Sequence, residues 1–233
     1  RKAWEDWESF APPYTAAIEY GKKVFNTKFA NGKSFADCFK NRGIGIRQGF
    51  PYFDTKSGKI VTAENAINDC RVKNGETPFP WGTGDLASVS AYMAYTSRGK
   101  RLTVRISDDP RALAIYERGK RFFFAKRGQL NFSCADCHLF NAGNMVRADL
   151  LSSALGQAAH WPVWRQAWAS TEASKGNKRP DHGLGTIQHR YAECNKQIRA
   201  AAYPQNGDDY NALEYFHTFI SSGIPTAGPA LRQ

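Results

Sequence analysis

The chain has 233 residues and carries 32 lysines and arginines against 21 aspartates and glutamates, a formal charge of +11. That length accommodates one large domain or two of about 100 residues with a core each, and two small domains is the expectation. There is no apolar run long enough to span a bilayer, and the basic residues are spread as "GKK", "GKRLTVR" and "GKRFFFAKR", which argues against a membrane span and a nucleic-acid partner and leaves anionic small molecules, acidic proteins or plain surface hydration.

The opening "RKAWEDWESF" lacks the apolar stretch of a signal peptide, so a water-soluble, already processed form is expected. A helical segment "AIEYGKKVF" (17–25) precedes "KSFADCFK" (33–40), and Asp85 opens a later helix carrying Val89, Tyr92 and Thr96 towards Gly99. Near "ISDDP" (106–110) the chain begins again. Asp109 and Pro110 open a helix with Leu113, Tyr116 and Phe123, and "AIYERGKRFF" (114–123) echoes the first helix. "NFSCADCHLF" (131–140) then echoes "KSFADCFK", and Asp208 and Asp209 open a last helix with Leu213, Phe216 and Ile220 before Gly223. Cys70 to Gly99 aligns on Cys194 to Gly223 at a constant offset of 124. The expectation is an internal repeat: two tandem domains, residues 1–105 and 106–233, in an all-α fold without alternating strand patterns. Between motif and third helix the second copy is longer, 57 positions from Cys137 to Cys194 against 32 from Cys38 to Cys70. This insertion holds Trp161, Trp164 and Trp168, a cover for a cofactor or a surface for a partner.

Cys134-Ala-Asp-Cys137-His138 has the spacing by which two thiols bond a haem's vinyl groups while the adjacent histidine faces the iron, so two tandem cytochrome c-like domains are expected, with one covalently bound haem c in the second. A zinc half-site would need two further ligands at matching spacing, and a redox pair has no use for the histidine. Haem attachment belongs to the periplasm or an equivalent oxidising space. The first copy has Phe35 and Phe39 where the second has Cys134 and His138, so it holds no haem covalently. Its leftover Cys38 and Cys70 fall where a thioether cysteine and a distal ligand would sit, and a disulfide between them is expected; two buried thiols are the alternative.

The iron's other axial ligand bears on function. Met145 follows His138 too closely, Met93 belongs to the haemless copy, and both read as core residues; His160, His182, His189 and His217 read as surface or core. Cys194 remains. On a helix from about Thr186, residues Ile187, Arg190, Tyr191, Cys194 and Ile198 share a face. A thiolate from Cys194 would lower the reduction potential, and Arg190 would keep the sulfur anionic and hold an anionic substrate. An inert buried thiol is the alternative for Cys194; pairing with a haem propionate or covering apolar surface is the alternative for Arg190.

These features, above all "RYAECNKQIRA" beside "SCADCH", resemble the A subunits of the SoxAX cytochromes of bacterial thiosulfate oxidation, over nearly the whole chain. Some members carry two haems; a chain with one attachment motif resembles the single-haem branch. The resemblance implies an enzyme that oxidatively joins thiosulfate to a cysteine of the carrier SoxYZ, in a heterodimer with the small cytochrome SoxX. It implies Cys134 and Cys137 as tethers, His138 and Cys194 as iron ligands, and Cys194, often a persulfide, with Arg190 as active residues. A thiosulfate dehydrogenase forming tetrathionate and a non-enzymatic electron-transfer cytochrome are the other readings.

Overall fold

The computed structural model describes residues 12–146 and 149–232; the opening decapeptide lies outside them. Among the described residues seven α-helices dominate: α1 Thr15–Asn26, α2 Ala63–Lys73, α3 Gly84–Tyr95, α4 Pro110–Phe124, α5 Gln166–Ser174, α6 Ile187–Gln197 and α7 Asp208–Phe219. None is long and apolar enough to cross a membrane. Local chemistry sets their starts. The Asp109 carboxylate accepts from Arg111 N at 2.9 Å ahead of Pro110, which satisfies one orphan donor and leaves the proline where its missing N–H costs nothing. Thr62 caps α2 by accepting from Asn65 N at 3.1 Å, and Thr186 caps α6 by accepting from His189 N at 3.3 Å.

Helix α1 crosses α3, and α4 crosses α7, in the two most extensive packings of the molecule. A β-carbon at Gly21 would lie 2.0 Å from the Ser88 carbonyl oxygen, and one at Gly119 would lie 2.0 Å from that of Ala212. Only glycine lets the backbones approach so closely. Arg118 of α4 pins the start of α7 through Asp209 at 2.9 Å.

One core cluster, around Phe25, Phe35, Ile67, Cys70 and Met93, belongs wholly to the N-terminal part; another, around Phe122, Phe123, Trp161, Tyr191 and Phe216, belongs wholly to the C-terminal part. Two clusters are shared: Tyr14 and Ala87 pack with Trp164 and Leu184, and Phe53 and Val104 with Ala112 and Tyr215. The segment before the expected join pairs with the chain after α7, Leu102 N to Ile224 O at 3.0 Å and Gly223 N to Leu102 O at 2.9 Å. Cys38 and Cys70 are joined in a disulfide with Cα atoms 5.8 Å apart. Phe35 stacks beside Phe25 and meets Phe29 edge-on, filling the space behind that bond with rings.

The helix-rich frame expected of an all-α fold also carries short strands. β1 Tyr52–Asp54 pairs antiparallel with β2 Lys59–Val61, and β3 Met145–Val146 with β4 Asp149–Leu150. β5 Val163–Arg165 lies between β6 Leu184–Gly185, antiparallel, and β7 Ala230–Arg232, parallel. Strands of two or three residues offer no alternation to read. One expectation fails: Met145, expected in the core, is 59% exposed on a surface hairpin. Met93 is fully buried, as expected.

Candidate functional site

Ser133 N and Oγ donate to the Asp136 carboxylate at 2.7 and 2.8 Å, and Asp136 N donates back to Ser133 Oγ at 3.1 Å. This reciprocal cap starts a turn at Cys134 that runs into a π-helical turn over Asp136–Phe140. Ser34 and Asp37 make the same contacts, at 2.7 and 3.0 Å, in front of Cys38. The His138 Nδ1 lies 2.8 Å from the Ser152 carbonyl oxygen. A carbonyl can only accept, so Nδ1 carries the hydrogen and Nε2 keeps its lone pair, the tautomer of a metal ligand. Burial lowers the pKa of this imidazole, which favours the same neutral form.

Cys134, Cys137 and His138 line a cleft with about 1190 Å³ of open space, its mouth included, walled by Phe122, Phe123, Trp161, Val163 and Leu213. The α6 residues Ile187, Arg190, Tyr191, Cys194 and Ile198 all line it as well. All three cysteines outside the disulfide are free thiols. Burial pushes Cys134 up to about 11 and raises Cys194; the Arg190 and Arg165 charges pull Cys194 back while Glu193 and Asp149 oppose them. Arg190 Nη1 pairs with Glu193 at 3.0 Å, and the other oxygen of Glu193 accepts from Trp168 Nε1 at 2.6 Å.

His160, His182 and His189 do not line the cleft; His182 and His189 line a separate groove beside Trp168. His217 does line it, and sequence reasoning missed that. It is 3% exposed, with Nδ1 2.9 Å from the Tyr191 hydroxyl and Nε2 without a hydrogen-bond partner among the described residues, and burial lowers its pKa to about 3. Three arginines were also missed. Arg127 lies over the Phe122 ring at 3.8 Å, with Nη1 3.9 Å from Cys134 Sγ; Arg165 and Arg232 reach the cleft from β5 and β7. The tryptophans of the insertion divide: Trp161 walls the cleft, Trp164 packs against the N-terminal part, and Trp168 holds Glu193.

The residues present fit a haem c. Two thiols, a correctly tautomerised histidine and mostly apolar walls converge on one cleft, and the buried His217 Nε2, Asn195 Oδ1 and Arg165 Nε in its wall lack hydrogen-bond partners among the described residues.

A family model described as SoxA/TsdA, cytochrome c domain, matches residues 20–102, wholly within the part that carries the disulfide. That domain type implies haem c. Over 233 residues the chain is 45% identical to the L-cysteine S-thiosulfotransferase subunit SoxA of Chlorobaculum tepidum, covering 100% of this chain and 76% of that protein. It is 44% identical to the subunit SoxA of Allochromatium vinosum over 234 residues, covering 100% and 78%. The crystal structure of SoxXA from P. pantotrophus superposes with a TM-score of 0.85 at 29% identity, covering 100% of this chain and 84% of that one. Full-length identity at this level, on a helical frame that gathers two thiols, a histidine and a third cysteine into one cleft, shows that the chain belongs to the SoxA family of L-cysteine S-thiosulfotransferase subunits.

Proposed function

We propose that this chain is the catalytic cytochrome subunit of a periplasmic heterodimer that joins thiosulfate to a cysteine of the carrier SoxYZ and passes the electrons to the haem of a SoxX-like partner. The observation that carries this reading is the convergence of Arg190 and Cys194 from α6 on the cleft that holds Cys134, Cys137 and His138. One haem c would be tethered by Cys134 and Cys137 and held by His138 and Cys194; when bound, it supplies a one-electron acceptor beside the reacting sulfur. The reaction forms an S–S bond between the carrier's cysteine and the outer sulfur of thiosulfate, releasing one proton from the thiol and two electrons. A haem held by Cys134, Cys137, His138 and Cys194, together with one in the partner, would offer two one-electron centres for them. Arg190 would orient the dianionic substrate and offset negative charge on Cys194. Glu193 holds its guanidinium and is itself held by Trp168.

We further infer a tandem repeat, with a haemless domain over 1–105 and a haem-binding domain over 106–233. Paired features support it: glycine crossings at Gly21 and Gly119, serine–aspartate caps at 34–37 and 133–136, and threonine caps at Thr62 and Thr186. The match of a cytochrome c family model to residues 20–102 supports it too. The disulfide and the Phe25–Phe29–Phe35 rings occupy the first domain where the second has its cleft. Exposed apolar side chains in and after the haem motif, Phe132, Leu139, Phe140, Leu150 and Leu155, support a protein partner at that edge.

The test is turnover of thiosulfate with and without the carrier in wild type and Cys194→Ala. Conjugation is expected only with the carrier. The alanine variant is expected to lose it by about 10³-fold or more while intact mass still shows one haem. Tetrathionate formed without the carrier, or retained conjugation in the variant, would overturn the reading.

A further inference from the structure

The cleft holds more positive charge than this function employs. Arg165 on β5 and Arg232 on β7 are register partners, so their side chains leave the sheet on the same face, and both line the cleft. Arg165 is 8% exposed; its Nη2 lies 3.0 Å from Asp149, its guanidinium sits 5.5 Å from the Trp168 ring, and its Nε has no partner among the described residues. Arg232 makes no ion pair among the described residues, and burial together with the Arg165 charge makes its protonated form less favourable. Two guanidiniums beside one carboxylate leave an unbalanced, largely desolvated charge, which costs free energy unless an anion completes it.

We propose that Arg165 and Arg232 form an oxyanion clamp, binding two or more oxygens of an anion in the cleft, with Asp149 as the internal carboxylate that competes for Arg165. Paired guanidinium forks match planar or tripodal oxyanions, and a buried donor left open on Arg165 is where such a ligand would bond. Two sources carry that chemistry: the sulfonate end of thiosulfate and the carboxylate side chain of a haem. The clamp deepens the proposed function, since it adds two anion-binding residues to the same cleft, and it rests on that reading only for the identity of the anion.

The experiment uses the holoprotein, with calorimetric titration of thiosulfate in the absence of carrier and measurement of the haem midpoint potential. For a sulfonate, Arg165→Gln and Arg232→Gln are each expected to weaken thiosulfate binding about tenfold or more, Arg165→Lys to recover part of the loss, and Asp149→Asn to tighten binding. For a haem carboxylate, the two glutamine variants instead lower the midpoint potential, because a nearby positive charge favours the reduced state, and leave thiosulfate binding unchanged. If neither quantity moves in either variant, the clamp is wrong. Unfolding midpoints run alongside, and should Arg165→Gln fail to fold, Arg232→Gln alone decides. Wild type that binds thiosulfate through the clamp yet never conjugates it to the carrier would sink the proposed function and leave the clamp standing.

Discussion

The side chain with the most consequential neighbours is Glu193. One of its oxygens holds Arg190 at 3.0 Å and the other holds Trp168 at 2.6 Å, so a residue of the insertion fixes an arginine one turn from Cys194. The face shared by Arg190 and Cys194 follows from helical spacing and was legible in the sequence. What holds Arg190 was not, because Trp168 arrives from another element. For the proposed role, Arg190→Gln is expected to lower kcat/KM for thiosulfate by about 10²-fold or more with haem attachment intact. Arg190→Lys, which keeps the charge and loses the fork, should fall between the two. Equal rates for all three proteins, measured with the carrier saturating, would remove Arg190 from the chemistry. The cysteine–histidine motif could be read because its members are consecutive; Arg165, Arg232 and His217 could not, because only the β5–β7 pairing and the packing of α7 bring them to the cleft.

Among the elements, the α4–α7 crossing places the cleft walls, since Phe122 and Phe123 leave α4 and Leu213 and His217 leave α7. Gly119 sits where those backbones meet. Gly119→Ala is therefore expected to destabilise the fold by roughly 1–3 kcal/mol, the usual effect of overpacking, and to lower the urea midpoint; an unchanged midpoint would show that the helices can slide apart freely. The helices were legible from their caps and periodicity: the caps at Asp109 and Thr186 begin α4 and α6 where the sequence placed them. The strands escaped because each is too short to carry a pattern. Met145 escaped for the same reason, lying in one of those strands, paired with Leu150 across a surface hairpin.

At the scale of the whole molecule, the N- and C-terminal parts meet through buried polar groups as well as shared cores. Glu214 of α7 is 2% exposed and accepts from Gln188 Nε2 at 2.9 Å. Burial, with the nearby Glu64 carboxylate, pushes it from an ordinary 4.5 up to about 8, while Arg47 pulls it back. Arg47 itself lies 3.5 Å from Glu64, to which Ser90 Oγ donates at 2.6 Å. A carboxyl whose folded pKa lies above its unfolded one holds its proton more tightly when folded. Its contribution to stability is complete below about pH 4.5 and is lost as the pH climbs to about 8. Glu214→Gln, neutral at every pH, is expected to flatten that decline in urea midpoints measured at about pH 5 and about pH 8.5. A wild-type curve as flat as the variant's would mean that Glu214 ionises without penalty. The shared cores were illegible in a repeat read half by half, since repeat matching says which residues correspond and nothing about how the copies face each other.

The Cys38–Cys70 bond sets a sorting problem for biosynthesis. One pair of thiols in this chain is oxidised, while a second pair, Cys134 and Cys137, stands at the spacing of redox-active dithiols and, under the proposed function, would have to stay reduced to receive a porphyrin. A maturation route that oxidises indiscriminately would close both and leave a frame with nothing to carry electrons; on that proposal the host compartment would have to pair selective oxidation with a reductant aimed at the second site.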